Sequence, residues 1–378
     1  MVNRLFSGSN DYGSGLPDVT INQAGYPVEV HSVVTPDGYI LPVYRIPNSK
    51  NGTSTRGPVL LMPGALTSAS VFFLLSPEKA LPFVLSNAGY DVWVGNYRGC
   101  EGTSHKKFSN TEAKFWNFSM DEIAQYDVTS LIDHIQTKTQ APAINYIGYS
   151  LGCSVFFMAL ARQPSYNQKI QKMAGLGPTC YINNTRSFAT NFQYLPLDAF
   201  VDGTDLLFGG EFPVSRIQES LTSYLEACNL IGNVKGCFDL VLRGMGPSRA
   251  NMSVIRVGLK HIPSPVSARI VAQMGQIGRS DKCRMYDFGS KGNVDQYGTK
   301  NPKLYYLGNV TAQSMGVIGP DDQVVTAQNV NRTFRELGNS KSFTYQVNRS
   351  DFTHSDFVFD DEAKSLVYDK VVDFFNSN

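Results

Sequence analysis

The apolar run Ala143 to Ile147 ends in Gly148-Tyr149-Ser150-Leu151-Gly152, and a small-residue stretch that opens a helical pattern follows it. A five-residue pattern this short arises by chance in many chains, so its context carries the weight. Here the context is a strand that turns into a helix through one serine. Such a turn is strained, and it needs neighbours without side chains on both flanks so that the backbone packs closely. The reading is a nucleophile elbow, with the Ser150 hydroxyl exposed at the turn.

The surrounding pattern suits that elbow. Strand-like Pro58 to Met62, a helix near 77–88, strand-like Asp91 to Gly95, a helix from about Ser119 and strand-like Ala143 to Ile147 alternate along the front half. Alternation of this kind predicts a mostly parallel sheet with helices on its faces. Ser119 and Glu122 are spaced as a capping box, and Ile123, Tyr126, Leu131, Ile132 and Ile135 give the following helix a packed face.

A serine hydroxyl is a weak nucleophile until a general base takes its proton. In the chain order serine, acid, histidine, which hydrolases of this architecture use, His354 alone among the five histidines lies late enough. It falls on a loop between the strand-like Ser342 to Val347 and a terminal helix from about Asp361. His31 reads as part of an N-terminal strand, His105 as part of a polar loop and His134 as helical, while His261, between a helix and Pro263, is placed to line a pocket wall, with a direct role as the lesser alternative. The acid that orients the imidazole belongs after the strand Gln313 to Ile318, where Asp321 and Asp322 are adjacent and spacing does not separate them. Two backbone N–H groups should form the oxyanion hole: that of Leu151, directly after the nucleophile, and that of Ala65, in the loop Pro63-Gly64-Ala65-Leu66 after Pro58 to Met62.

From about Pro17 onward the chain resembles the acid lipase family of gastric and lysosomal lipases, and its insect members above all. The matching segments include Gly25-Tyr26-Pro27-Val28-Glu29, Asp37-Gly38-Tyr39-Ile40-Leu41, Gly89-Tyr90-Asp91-Val92-Trp93, Phe115-Trp116-Asn117-Phe118-Ser119 and Met285-Tyr286-Asp287-Phe288-Gly289. The resemblance implies an α/β-hydrolase fold: a mostly parallel central sheet flanked by helices, with an inserted, mainly helical cap. It places the nucleophile on Ser150, the acid on Asp322 within Gly319-Pro320-Asp321-Asp322, the base on His354, and the oxyanion donors on Ala65 and Leu151. It also implies a cap disulfide between Cys228 and Cys237. The chain departs from the family at Tyr149 and Leu151, usually histidine and glutamine, and at Pro63, usually histidine. Since the donors are main-chain amides, these changes bear on pocket shape and specificity more than on mechanism.

The expected division is a hydrolase core in two parts, 1–183 and 303–378, around a cap at 184–302, where the strand–helix alternation stops and apolar helical segments such as Leu206-Leu207-Phe208, 220–230 and 266–277 appear. A cap of this kind would shield an acyl pocket and touch a lipid interface transiently. The net charge of +1 over 378 residues leaves no electrostatic footprint for nucleic acid, and no run approaches a membrane span. Cys100, Cys153, Cys180 and Cys283 lack zinc-like spacing; Cys153 reads as a buried small hydrophobe, and the pairing of the four stays open. Asn51, Asn117, Asn183, Asn251, Asn309, Asn331 and Asn348 begin glycosylation sequons, which suit a secretory route to a secreted or lysosomal destination. The polar, glycine-rich Met1 to Gly15 has no apolar signal core and is expected to open a mature or shortened chain.

The expectation is therefore a serine carboxylic ester hydrolase that needs no cofactor or metal and acts on neutral lipid esters, triacylglycerol or sterol ester. Competing expectations are an esterase or acyltransferase for smaller esters, and an inactive lipid-binding or storage protein on the same fold.

Overall fold

The computed structural model describes residues 16–49, 52–185, 194, 196–214, 249–250 and 252–377. Its centre is a nine-stranded sheet built from β1 (Glu29–Val34), β2 (Tyr39–Ile46), β3 (Pro58–Met62), β4 (Asp91–Val94), β5 (Ser104–His105), β6 (Ile144–Tyr149), β7 (Ile170–Leu176), β8 (Ser314–Ile318) and β9 (Phe343–Gln346), in the order β1-β2-β4-β3-β6-β7-β8-β9 with β5 paired to β2. The pairings of β1, β4 and β5 with β2 are antiparallel, and the run from β4 to β9 is parallel. The parallel centre explains why β3, β4 and β6 read as nearly unbroken apolar runs: every residue in them is buried, because helices cover both faces.

Alternation along the strands divides the core in two. Leu60, Met62, Trp93 and Tyr146 point into one layer with Phe156 and Phe157, while Val59, Leu61, Val92, Val94 and Ile147 point into the other with Phe73 and Phe83. Helices α1 (Leu81–Asn87), α2 (Val128–Thr139) and α3 (Leu151–Arg162) connect the strands of the front half. The capping box forms as its spacing predicts: Ser119 Oγ accepts from Asp121 N–H and Glu122 Oε2 accepts from Ser119 N–H at 2.7 Å. From there the chain runs through one π-helical turn, Ile123–Asp127, into α2, with Ile123, Leu131, Ile132 and Ile135 fully buried and Tyr126 partly exposed. His105 is not in a polar loop. It pairs with Tyr39 across β5 and β2, and its ring stacks on Phe108 at 4.6 Å.

Between β7 and β8 lie α4 (Leu197–Phe208), α5 (Met252–His261) and α6 (Ala268–Ser280). Helix α6 is fastened to the first half of the chain. Gln273 accepts from Met120 N–H and donates to Asp121 at 2.8 Å each, and Ser267 Oγ donates to the Trp116 carbonyl at 2.7 Å. A disulfide between Cys180 and Cys283 ties the segment after β7 to the segment after α6. Cys228 and Cys237, for which a bridge is expected, lie outside the described residues, as does 220–230.

A charged cluster around Arg98 sits inside this apolar frame. Arg98, 1% exposed, is bidentate to Asp37 at 2.6 and 3.0 Å, bonds Asp127 at 2.7 and 2.9 Å, and covers the Tyr39 ring at 4.1 Å. Burial alone would depress the guanidinium, but the Asp127 and Asp37 carboxylates outweigh it and hold the charge above its ordinary value. Arg98→Met would strand a fully buried Asp127, at an expected cost of about 3–5 kcal/mol, whereas Lys169→Met, which breaks the exposed pair with Asp133, should cost less than about 1 kcal/mol. Urea midpoints of the two variants check the difference.

Candidate active site

All the parallel strands end at one edge of the sheet, and the loops leaving them there carry the residues of interest. Ligands bind at such an edge in open α/β sheets. Strand β6 ends at Tyr149 and α3 starts at Leu151, so Ser150 alone makes the turn, with φ 51° and ψ −113°. A non-glycine residue held there costs about 1–3 kcal/mol, which the surroundings must over-determine. They do so by close packing. A Cβ on Gly148 would lie 2.6 Å from Cys153 N, and one on Gly152 would lie 2.4 Å from Met62 O, so neither flank tolerates a side chain. Ser150 N–H donates to Leu176 O at 2.9 Å, which locks the elbow to the end of β7. Cys153 is buried and free, with Sγ 3.0 Å from Gly148 O.

The loop after β8 places Asp322, and the loop after β9 places His354. Both are buried, and His354 Nδ1 lies 2.7 Å from Asp322 Oδ2. The other Asp322 oxygen accepts from Val324 N–H at 2.9 Å and Val325 N–H at 2.7 Å, which fixes the carboxylate's orientation. Its neighbour Asp321, which sequence spacing could not separate from it, is partly exposed and uses its N–H on the Phe352 carbonyl.

The loop after β3 presses on the elbow. A Cβ on Gly64 would come within 3.1 Å of Ser150 Cβ and 3.0 Å of the Tyr149 ring, and the Gly64 carbonyl accepts from Thr67 Oγ1 at 2.8 Å and Tyr97 OH at 2.9 Å. Ala65 follows directly, and Leu66 takes φ 60°. The backbones of Ala65 and Leu151 are thus carried by the two segments that meet at Ser150. Beside the serine lies a narrow cleft of about 40 Å³, lined by Met120, Met158, Met274, Ile277 and Val325 among others, with no charged side chain in its wall. A larger polar pocket of about 470 Å³, around Asp121, Tyr126 and Tyr297, does not include the serine.

Sequence reasoning did not single out two parts of this site. Gly177, at φ 61°, lies so close to the dyad that a Cβ would stand 3.1 Å from the imidazole and 3.3 Å from Asp322 Oδ2. Its sequence signal is a glycine just past β7, in Leu176-Gly177-Pro178. The other part is Asp356, fully buried, which accepts from Thr353 N–H at 2.8 Å, Thr353 Oγ1 at 3.0 Å and Arg349 at 3.1 Å, and so braces the His354 loop. Of the remaining histidines, His31 and His134 lie against each other at 3.3 Å, far along the chain from the elbow's partners, and His261 lies 3.8 Å from Glu101.

A parallel sheet that hands its chain to a helix through a strained serine, with an acid-bonded imidazole on later loops of the same edge, defines an α/β-hydrolase. Residues 57–213 match the family described as alpha/beta hydrolase fold, and residues 18–76 match a partial alpha/beta-hydrolase lipase region. Lipase member N of Mus musculus is 33% identical, covering 94% of this chain and 90% of that protein; Lipase 3 of Drosophila melanogaster is 33% identical, with 93% and 90% covered. Gastric triacylglycerol lipase of Homo sapiens is 30% identical, with 96% and 93% covered. The chain belongs to the acid lipase family, and with it to the carboxylic ester hydrolases. The solved structure of a putative lipase from Acinetobacter baumannii shares the fold at TM-score 0.52 and 14% identity, over 95% of this chain and 94% of that one. A thermophilic esterase from Thermogutta terrifontis does so at 0.54 and 14%, over 92% and 100%.

Gly177→Ala is expected to displace the imidazole or Asp322 and lower kcat roughly 10- to 100-fold on a soluble ester with little change in KM, which steady-state kinetics reads directly. Asp356 gives a pH test. Burial, with the neighbouring Asp360 carboxylate, raises its carboxyl and outweighs the bonds from Thr353 and the Arg349 charge, which pull the other way. With the folded value above the unfolded one, its stabilising contribution is complete below the ordinary carboxylate pKa of about 3.9 and fades as pH rises through the raised folded value. The stability advantage of the wild type over Asp356→Asn should therefore shrink as pH rises above about 4, as a series of urea midpoints would record.

Proposed function

We propose that the protein hydrolyses neutral lipid esters, triacylglycerol or sterol ester, through an acyl-enzyme on Ser150. His354 takes the serine proton at Nε2 as the hydroxyl oxygen attacks the ester carbonyl, and Asp322 holds the imidazole through Nδ1 and stabilises the imidazolium. The N–H groups of Ala65 and Leu151 receive the developing oxyanion. The imidazolium then gives its proton to the leaving alcohol, and water deprotonated by His354 releases the acid and restores the serine. The observation that carries this reading is the 2.7 Å contact between His354 and Asp322, on loops that leave the same sheet edge at which Ser150 makes its strained turn.

The uncharged wall of the cleft supports an acyl chain over a charged substrate. In this reading residues 184–302 form a cap on a core of 1–183 and 303–378, and α6 of the cap contributes Met274 and Ile277 to the acyl site. Leu206 and Leu207 on α4, 84% and 71% exposed, offer apolar surface for a transient contact with lipid. Among the described residues no helix is long and apolar enough to cross a membrane. The Cys180–Cys283 bridge and the sequons support folding in an oxidising secretory compartment, on the way to a secreted or lysosomal site.

Hydrolysis of short-chain esters, long-chain triacylglycerol and cholesteryl ester from about pH 4 to about pH 9 tests the reading. Long-chain turnover is expected, with a loss on the order of 10⁶-fold in kcat in Ser150→Ala and of about 10⁴-fold in Asp322→Asn. Activity on short esters alone would replace lipase by esterase, and turnover that survives Ser150→Ala would remove the serine from the mechanism.

A further inference from the structure

Tyr149 precedes the nucleophile and touches three separate parts of the site. Its hydroxyl donates to the His354 carbonyl at 3.1 Å, across 205 residues of sequence. Its ring lies against the His354 imidazole, with centroids 5.2 Å apart and planes 27° from parallel. The other contacts are the Gly64 turn, where a Cβ would meet its ring at 3.0 Å, and the Phe357 ring at 6.5 Å. The side chain is 5% exposed and so has little freedom to leave these partners.

We propose that Tyr149 is a positioning residue for His354, which fixes the peptide of the base through its hydroxyl and the plane of the imidazole through its ring. The inference rests on the role given above to the serine, acid and histidine, and it extends that role to a residue of the elbow itself. Three physical arguments carry it. Asp322 restrains the imidazole at one nitrogen only, and a single hydrogen bond leaves the ring free to rock about that contact; a flat neighbour at stacking distance removes the rocking. The His354 carbonyl lies on a loop rather than in the sheet, and the hydroxyl ties that loop to the end of β6, so nucleophile and base share one rigid reference. An aromatic face also favours the imidazolium formed when the base takes its proton. Burial pushes the phenol far above its ordinary value, with Asp322 adding to the shift, so the hydroxyl stays a donor wherever the protein is folded.

Tyr149→Phe keeps the ring and removes the hydroxyl, and Tyr149→Leu removes both. On a soluble butyrate ester, Tyr149→Phe should lower kcat roughly 10-fold with KM within about two-fold of wild type and an almost unchanged Tm, because a misplaced base slows chemistry without altering the acyl site. Tyr149→Leu should lower kcat further. The isosteric Tyr149→Phe decides the case if Tyr149→Leu does not fold. Wild-type kcat in Tyr149→Phe, or a raised KM with kcat unchanged, would overturn the proposal and make Tyr149 part of the pocket wall. Labelling by a fluorophosphonate separates this from a failure of the underlying reading. Wild type labelled at Ser150 with Tyr149→Phe labelled equally fast overturns the positioning role alone, whereas no labelling of Ser150 in folded wild type overturns both.

Discussion

Helix α3 enters against the sheet so closely that the Cα hydrogens of Gly148 and Gly152 fill space no methyl could share, one against Cys153 N and the other against Met62 O. That approach sets the direction of the helix start, the strain at Ser150 and the distance at which the loop after β3 can pass. If α3 were moved outward by one methyl, Gly64 would lose its contact with the elbow and Leu176 O its bond from Ser150 N–H. The strain at φ 51° is therefore not a local defect. It is held by packing from three strands, which is how a backbone in a sparsely populated region persists.

The rest of the site is assembled by loops from strands that are far apart in sequence but adjacent in the sheet. Asp322 gains its orientation from two backbone N–H groups of its own turn, His354 from Asp322, and the loop of His354 from Asp356 and Arg349. Each group is thus fixed by the next one outward, down to a buried ion pair. Helix α6 and the Cys180–Cys283 bridge do the same for the apolar side: Met274, Ile277 and Cys180 line the cleft with Ser150, and the helix that carries two of them is bonded to Met120 N–H and Asp121.

Much of this was readable from residue types. Pro58 to Met62 and Ala143 to Ile147 announce central strands because a parallel strand covered on both faces must be apolar throughout, and Ser119 with Glu122 announces a helix start because the two side chains satisfy donors that the helix cannot. The order of Ser150, the paired aspartates and His354 follows from the order of the strands. What could not be read was anything decided by neighbours across the sheet edge. Asp321 and Asp322 differ only in which carboxylate the turn aims at the imidazole, and Gly177 matters because two distant loops converge on it. The Cys180–Cys283 bridge joins residues separated by 103 positions with no spacing that would advertise it. Tyr149 was visible only as a departure from the family, and its contacts depend on where the His354 loop comes to rest.

The topology has a bearing on when the molecule becomes chemically competent. Strands β7 and β8 are neighbours in the sheet, yet the whole segment with α4, α5 and α6 separates them along the chain, so their pairing is a long-range event of the slow kind. Ser150 belongs to the half made first, while Asp322 and His354 arrive after the two strands added last. On the mechanism proposed above, a nascent or partly folded chain presents Ser150 with nothing to take its proton. On that mechanism, the ability to cut an ester is itself the sign that the final strands have docked.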